Sequence, residues 1–301
     1  MIRYGTNPIA WSNDDDRSLG ADAPLERCLD EAGRIGFEGI EKGWKFPDDP
    51  AAMGEALAPH GLALISGWWS TNLLERSVED ELAAMKSYRR LMTGMETGLA
   101  ILCETTGAIH GDPVRPLPTK PVLARDDWPR LGQRLTELAK RLRDEGLTPV
   151  YHHHMGAVVQ FRNEIDALMD AAGDELALLL DAGHAFFADV DPVKLARDYM
   201  PRVSHIHAKN VRPAIKRRAA EEGMSFLQAV RAGVFTVPGD PEGGVDFEPI
   251  LRVAAEHGYR GWLVIEAEQD PEVRNPWEYQ SMGLGALREA ARAAGLDRSA
   301  A

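Results

Sequence analysis

Short apolar runs recur along the chain, and many follow a stretch of helical periodicity that ends near a glycine. In one such unit a stripe of leucines precedes Gly146, and the strand-like run 147–150 follows. The stripe consists of Leu131, Leu135, Leu138 and Leu142. Apolar positions three or four residues apart predict a helix, and short continuous apolar runs predict strands covered on both faces. The pattern therefore indicates a series of strand–helix units.

Eight runs have the length and composition of strands. They are residues 4–10, 39–41, 63–66, 98–103, 148–152, 176–180, 203–207 and 262–265. Eight strands separated mostly by helical patterns are typical of a (β/α)₈ barrel. No linker or composition shift divides the 301 residues, so we predict one α/β domain over residues 1–301, a single (β/α)₈ TIM barrel. An open doubly wound sheet is the alternative, but no glycine-rich nucleotide loop follows the first strand.

Composition narrows the range of partners. The formal net charge of −13 argues against nucleic acid, because duplex binding draws its affinity from Lys and Arg on phosphates. The chain lacks both a long apolar run and a signal-peptide pattern, so we expect no membrane partner and a cytoplasmic location. Its two cysteines, Cys28 and Cys103, are expected to be buried free thiols. The oligomeric state is open, and a homo-oligomer is compatible with the sequence.

Six of the nine histidines fall where apolar or β-prone runs end. They lie in three stretches, namely Tyr151-His152-His153-His154, Asp181-Ala182-Gly183-His184 and His205-Ile206-His207. The carboxyl ends of barrel strands meet at one face, so side chains distant in sequence converge there. Asp181 ends the most apolar strand, where a carboxylate needs a cation or hydrogen bonds to offset its desolvation. The alternative for Asp181 is a helix N-cap or a structural salt bridge.

Residues two apart on a strand share a face. His205 and His207 therefore point the same way, as does Lys209 if the strand continues, and Glu266 and Glu268 do so after the last strand. Imidazole and carboxylate donors suit Mn, Co, Fe or Zn, so we predict a divalent metal centre, and among these ions we expect Mn or Co. The alternative is ordinary packing of hydrogen-bonded histidines. Three adjacent histidines do not all ligate one ion, so His152 as a ligand stays open.

Several residues near strand ends are candidates for substrate contact. They are Asn7, Trp11, Asn13 and Asp14 after the first strand, Glu41 after the second, Trp68 after the third, Glu104 after the fourth and His154 after the fifth. Aromatic faces beside amide and carboxylate groups suit a polyhydroxylated ring, which presents C–H patches and hydroxyls together. Tryptophan in a barrel is also ordinary core. The segment 235–240 is expected to form a loop beside the site.

Six segments, in this order, resemble the xylose isomerase-like barrel superfamily and, within it, the inosose dehydratases of myo-inositol catabolism. The segments are Asn7-Pro8-Ile9-Ala10-Trp11-Ser12-Asn13-Asp14, Tyr151-His152-His153-His154-Met155-Gly156, Leu180-Asp181-Ala182-Gly183-His184, His205-Ile206-His207-Ala208-Lys209-Asn210-Val211, Gly233-Val234-Phe235-Thr236-Val237-Pro238-Gly239 and Glu266-Ala267-Glu268-Gln269-Asp270-Pro271. The resemblance spans most of the chain. Proteins of rhizopine catabolism are similar too, which leaves the exact substrate open.

The resemblance implies a set of metal ligands. The superfamily usually offers Glu, Asp, His and Glu from strand tips five to eight, and the matching positions are His152, Asp181, His207 and Glu266. His152 departs from the usual carboxylate. If His152 ligates the ion, the site is less anionic and suits a transition metal better than Mg.

The resemblance also implies an activity, the dehydration of 2-keto-myo-inositol (scyllo-inosose) through a metal-stabilised enediolate. The candidates for the proton transfers are His184, His205, Lys209 and Glu268. A sugar isomerase or epimerase would use the same metal and return the proton instead of expelling water. A non-catalytic polyol-binding protein would bind the same ring without turnover. An endonuclease on this barrel is disfavoured by the acidic charge.

Overall fold

The computed structural model, which describes residues 1–297, is a closed barrel of eight parallel strands. The barrel strands are β1 (Arg3–Thr6), β2 (Gly39–Lys42), β3 (Ala63–Thr71), β4 (Leu99–Glu104), β5 (Thr148–His152), β6 (Ala177–Asp181), β7 (Val203–His207) and β10 (Trp262–Ile265). Each pairs with the next along the chain, and β10 closes the barrel on β1. The predicted (β/α)₈ fold is confirmed. Residues 298–301 of the predicted domain lie outside the described residues.

Helices surround the barrel, and a short two-stranded sheet lies outside it. The helices are α1 (Leu25–Ile35), α2 (Pro50–Leu57), α3 (Val78–Ala84), α4 (Lys86–Gly94), α5 (Trp128–Asp144), α6 (Arg162–Ala171), α7 (Ala182–Phe187), α8 (Pro192–Tyr199), α9 (Pro213–Glu221), α10 (Phe226–Arg231), α11 (Phe247–Glu256) and α12 (Pro276–Ala293). In that sheet β8 (Asn210–Val211) pairs antiparallel with β9 (Phe235–Thr236), and α9 and α10 lie in the connection between them. Within residues 1–297, no helix combines the length and apolarity needed to cross a membrane.

The helices form where the periodicity places them. All four leucines of the stripe on α5 are fully buried against the barrel. Gly146 follows at φ +82°, a left-handed conformation that glycine adopts without strain and that ends the helix. Gly36 ends α1 in the same way at φ +99°. Both cysteines are buried free thiols, as expected.

Two strands differ from their predicted bounds. The first stops at Thr6 rather than at residue 10, because Asn7 accepts a hydrogen bond from the Ile9 amide (2.9 Å) and Pro8 begins a 3₁₀ turn. The third continues to Thr71, so Trp68 lies on the strand instead of after it. Glu104 likewise ends β4 rather than following it. In a barrel the neighbouring strands decide how far pairing continues, and local sequence does not contain that information.

The barrel interior is apolar toward the amino ends of the strands and polar at the carboxyl ends. The apolar cluster consists of Ile65, Leu99, Ile101, Val150, Ala177, Leu179, Trp262 and Val264. A Cβ on Gly39 would lie 2.7 Å from the Trp262 ring, so glycine there makes room for the indole. Val150, Leu179 and Val264 are each followed two residues later by a polar side chain on the same face. The strands therefore raise polar groups above a filled core.

Candidate active site and metal centre

Four side chains meet above the apolar interior. His152 ends β5, Asp181 ends β6, His207 ends β7 and Glu266 follows β10, and one ligand atom from each lies within 4.8 Å of the others. His152 Nε2 is 3.5 Å from Asp181 Oδ2, and His207 Nδ1 is 3.4 Å from the same oxygen. All four side chains are buried. The structure thus brings together the four residues that the resemblance implies as ligands.

The polar atoms of this cluster fit a divalent metal. Asp181 Oδ2, His207 Nδ1 and Glu266 Oε2 are buried without a hydrogen-bond partner in the described part of the chain. His207 Nδ1 and Glu266 Oε2 lie 2.5 Å apart without the alignment of a hydrogen bond. Leaving several such atoms unpaired is costly, and a cation among them removes that cost. Two imidazoles and two carboxylates are donors suited to a transition metal.

Asp181 serves two purposes at once. Its Oδ1 accepts a hydrogen bond from the His184 amide (2.7 Å) and caps α7, while Oδ2 points into the cluster. The helix cap and the ligand position are therefore compatible roles of one carboxylate. The cap also fixes the rotation of the carboxylate.

Glu41 orients His207. The Nε2 atoms of His205 and His207 donate to Glu41 Oε1 at 2.8 and 3.1 Å, and Asn7 Nδ2 donates to Oε2 at 2.7 Å. Burial alone would raise the pKa of Glu41, but His207 and His205 bring it down to about 2. A metal bound at His207 Nδ1 would leave the imidazole proton on Nε2, where Glu41 Oε1 accepts it. Glu41 lines the cavity wall, where sequence reasoning placed a substrate contact, but its carboxylate is engaged with protein groups.

Lys209 lies beside the four-residue cluster with no solvent exposure. Although β7 ends at His207, Lys209 still faces the site, and its Nζ donates to Glu268 Oε1 (2.6 Å) and to His184 Nε2 (2.9 Å). Burial disfavours the charged amine, but Glu266, Glu268 and Asp181 raise the pKa of Lys209 above its usual value. Lys209 is therefore an ammonium ion surrounded by carboxylates.

Glycine at position 183 leaves the space that the Lys209 side chain occupies. A Cβ on Gly183 would lie 2.4 Å from Lys209 Cγ, so any larger residue at position 183 would displace the side chain. The Phe235 ring of β9 lies 4.6 Å from Nζ, which adds a cation–π contact. The segment 235–240 lies beside the site, but only residues 237–240 form the predicted loop, because Phe235 and Thr236 belong to β9. Arg212 Nη2 holds the segment by donating to Asp240 Oδ2 at 2.6 Å.

A cavity of about 360 Å³ opens above the four-residue cluster. Its lining includes Asn7, Asp14, Asp15, Arg17, Glu41, Lys42, Trp44, Trp68, Ser70, His110, His154, His207, Glu266 and Glu268. Trp68 packs edge-on against His152 and His154, with ring centroids 5.3 Å apart in each pair, and its Nε1 donates to Ser70 Oγ at 2.8 Å. Burial raises the pKa of Asp14 to about 6, although a hydrogen bond from the Trp44 amide opposes the shift.

Some candidate residues do not reach the cavity. Trp11 is buried, and its Nε1 donates to Glu31 Oε2 of α1 at 2.6 Å. Asn13 Oδ1 accepts hydrogen bonds from the amides of residues 15 and 16 and shapes the loop. The structure does not bring Trp11 and Asn13 to the cavity, because both side chains are hydrogen-bonded within the protein.

Two further candidates are also displaced from the cavity. Glu104 accepts hydrogen bonds from Thr71 Oγ1 and the Leu73 amide, and so holds the end of β3. His205 is fully buried and bonded to Glu41, and it is absent from the cavity lining. Glu104 shares the outward face of β4 with Leu102, whereas His205 faces inward on β7 but lies one inward position below His207, so neither side chain reaches the open space.

Sequence reasoning missed His110, Trp44, Asp15, Ser70, Arg17 and Lys42. His110 lies in the loop after β4, with its ring centroid 5.1 Å from that of His154. Trp44 follows β2 by two residues, and its Nε1 donates to Ser12 Oγ at 2.9 Å. Proximity to a strand end was the available signal for Trp44, whereas no sequence pattern indicated His110.

Known proteins match this chain over nearly its whole length. A sequence model of the xylose isomerase-like TIM barrel family matches residues 29–292. The rhizopine catabolism protein MocC of Rhizobium meliloti is 42% identical over 300 residues, covering 100% of this chain and 92% of that protein. An inosose dehydratase of Geobacillus thermodenitrificans (strain NG80-2) is 38% identical over 290 residues, covering 96% of this chain and 97% of the relative. The chain therefore belongs to the xylose isomerase-like TIM barrel family.

Within that family, the full-length relatives include several inosose dehydratases. The resemblance expected from the six segments is confirmed, and the chain is an enzyme similar to those hydro-lyases. Solved structures share the fold at lower identity. An L-ribulose 3-epimerase has a TM-score of 0.66 at 16% identity, with 100% of both chains covered. A probable 3-DHS dehydratase, AsbF from Bacillus anthracis, has a TM-score of 0.64 at 15% identity over 95% of this chain and 98% of its own.

Proposed function

We propose that the protein is a metal-dependent dehydratase that removes water from 2-keto-myo-inositol (scyllo-inosose). The observation that carries the proposal is the convergence of four ligand atoms beside the Lys209–Glu268 pair, at the floor of one cavity. Relatives at 38% identity that are named inosose dehydratases support the substrate.

His152, Asp181, His207 and Glu266 would hold the metal through the ligand atoms described above. The bound ion would supply a Lewis acid that polarises a ketone oxygen and a neighbouring hydroxyl. With His152 in place of a carboxylate, the donor set favours Mn or Co over Mg, which prefers an all-oxygen shell.

The cavity suits a small cyclic polyol. Its volume of about 360 Å³ is at the small end of ligand sites. Trp44 and Trp68 offer aromatic faces to the C–H side of a ring, while Asn7, Asp14 and His154 offer partners for hydroxyls. A ring with several hydroxyls would satisfy both kinds of surface.

The dehydration needs a base for the proton next to the ketone and an acid for the departing hydroxyl, and one carboxyl group can fill both roles in turn by passing the same proton on. Glu268 lines the cavity, whereas Lys209 and His184 lie behind it in a hydrogen-bonded chain. We assign proton transfer with the substrate to Glu268, and its orientation to Lys209 and His184. His205 supports Glu41 and His207 from below. A general acid–base group typically contributes about 10²–10⁴-fold to turnover.

The test is product analysis. Metal-stripped protein is incubated with scyllo-inosose, with and without added Mn or Co, and the products are identified by mass spectrometry. Loss of one water only in the presence of metal is the expected result. An unchanged mass with a new isomer would assign an isomerase or epimerase instead, and no reaction on any inosose would indicate a polyol-binding protein.

A second candidate is the same dehydration on another cyclitol. The relative that is 42% identical over the whole chain is named for rhizopine catabolism, which favours a related ring. A panel of cyclitol ketones in the same assay separates the two candidates, because the preferred substrate has the highest kcat/KM. The cytoplasmic location and homo-oligomeric assembly remain predictions.

A further inference from the structure

A second set of ligand-type side chains adjoins the proposed metal centre. His154, His184 and Glu268 each offer one ligand atom, and the three atoms lie within 4.8 Å of one another. All three side chains are buried. Two imidazoles and a carboxylate make a donor set for a divalent transition metal.

The ammonium group of Lys209 fills the space between the two sets. Its Nζ lies 2.9 Å from His184 Nε2 and 2.6 Å from Glu268 Oε1 on one side. On the other side it lies 3.3 Å from Glu266 Oε2 and 3.9 Å from Asp181 Oδ2, two atoms of the first cluster. In a two-metal site, the second ion lies between its own ligands and the carboxylates of the first metal centre. Lys209 Nζ has the same arrangement, between the His154–His184–Glu268 set and the carboxylates of the first cluster.

We propose that Lys209 is a built-in cation that occupies a latent second metal site, so that the native protein holds a single divalent ion. The side chain reaches this position only because residue 183 is glycine, since a Cβ there would lie 2.4 Å from Lys209 Cγ.

An independent observation marks the latent site. Glu268 Oε2 is buried and lacks a hydrogen-bond partner among residues 1–297, although Oε1 is bonded to Lys209. The ammonium therefore leaves part of this carboxylate unsatisfied. One positive charge also faces three carboxylates within 4 Å, those of Asp181, Glu266 and Glu268. A divalent ion would match both the donor atoms and the charge more fully than the ammonium does.

The experiment counts metal ions. Wild-type protein and the Lys209→Ala and Lys209→Met variants are stripped, loaded with excess Co²⁺, desalted and analysed by plasma mass spectrometry. We expect one ion per chain in the wild type and two in Lys209→Ala, which removes the ammonium and opens the space. Lys209→Met refills that space with an uncharged chain and should hold one. Adding His184→Ala to Lys209→Ala should return the count to one.

The outcomes separate this inference from the proposed function. A wild type with one ion and a folded Lys209→Ala with one ion overturns the latent site and leaves the metal centre intact. A wild type with two ions also overturns it, because the lysine then excludes nothing. A wild type without any ion contradicts the metal centre itself and the latent site with it. Circular dichroism checks folding. If Lys209→Ala does not fold, Lys209→Ser opens the same space with a polar side chain and enters the same measurement.

Discussion

The two walls of the cavity are built differently. One wall comes from the ends of β5, β6, β7 and β10 and carries the proposed ligands and the Lys209–Glu268 pair, all buried. The opposite wall comes from β3 and the loops after β1, β2 and β4, and its side chains Asn7, Trp44, Trp68 and His110 are only partly buried. Groups that need fixed geometry are thus held by strands, and groups that face a variable ligand are placed at the solvent side. We call the first of these walls the strand wall and the second the loop wall. We infer that the strand wall performs the chemistry and that the loop wall selects the substrate.

Replacing a proposed metal ligand on the strand wall should remove nearly all activity. In Asp181→Asn we expect loss of bound metal and a fall in kcat of about 10³-fold or more, because the Lewis acid and its charge disappear together. Metal content and steady-state kinetics measure this. Asp189→Asn is the matched control, since Asp189 is exposed and its φ of +58° is one that asparagine tolerates. An Asp181→Asn variant with full metal and activity would refute the ligand assignment.

Glu268→Gln separates chemistry from metal binding on the same wall. We expect kcat to fall by about 10²–10⁴-fold while one ion per chain is retained, because the amide cannot exchange a proton with the substrate. Rapid kinetics beside metal analysis of the same sample measures both quantities. Retention of wild-type kcat would remove Glu268 from the mechanism.

Glu41 connects the walls, because it reaches from β2 to His207 on β7. Glu41→Gln should weaken metal affinity by about 10–100-fold, since His207 loses the carboxylate that holds its proton on Nε2. Titration calorimetry with Co²⁺ measures the affinity. Excess metal should restore most of the activity, and activity that stays lost at saturating metal would show that Glu41 acts on the substrate instead.

The loop wall should affect binding rather than turnover. For Trp44→Ala we expect KM to rise about fivefold with kcat little changed, since one aromatic contact contributes about 1 kcal/mol. Trp277→Ala, on the outer face of α12, is the control. A Trp44→Ala variant that loses kcat in proportion to a ligand mutant would abolish the distinction between the walls.

Asp14 gives the smallest effect, and one that depends on pH. Burial raises its pKa to about 6 while Asp15, Lys42 and Arg17 lie near it, so the folded protein loses stability as pH rises from about 4 through 6. Asp14→Asn removes this cost and, after the shift is discounted for solvent screening of a partly exposed group, should be more stable than wild type by about 1 kcal/mol at pH 7.5, with a smaller difference at pH 5. Urea unfolding at both pH values measures it. An equal difference at the two values would mean that Asp14 is not the titrating group.

The two walls also differ in how far sequence predicts them. Apolar runs that lead to His152, Asp181, His207 and Glu266 predicted that these side chains meet at the carboxyl ends of the strands. Alternation along a strand and the order of the strands fix where such side chains point. The loop wall did not follow from pattern. His110 carries no periodic signal. Trp11 and Trp44 each follow a barrel strand by a few residues, yet Trp11 packs against α1 and Trp44 lines the cavity. Loop positions depend on long-range packing, which a single sequence does not display.

The most direct test of the metal centre is anomalous diffraction from a cobalt-loaded crystal of the wild-type protein. We predict one anomalous peak per chain, ligated by His152 Nε2, Asp181 Oδ2, His207 Nδ1 and a Glu266 carboxylate oxygen. A peak at this position without His152 as a ligand would assign His152 to substrate contact instead. A peak elsewhere on the chain, with these four side chains metal-free, would contradict the account.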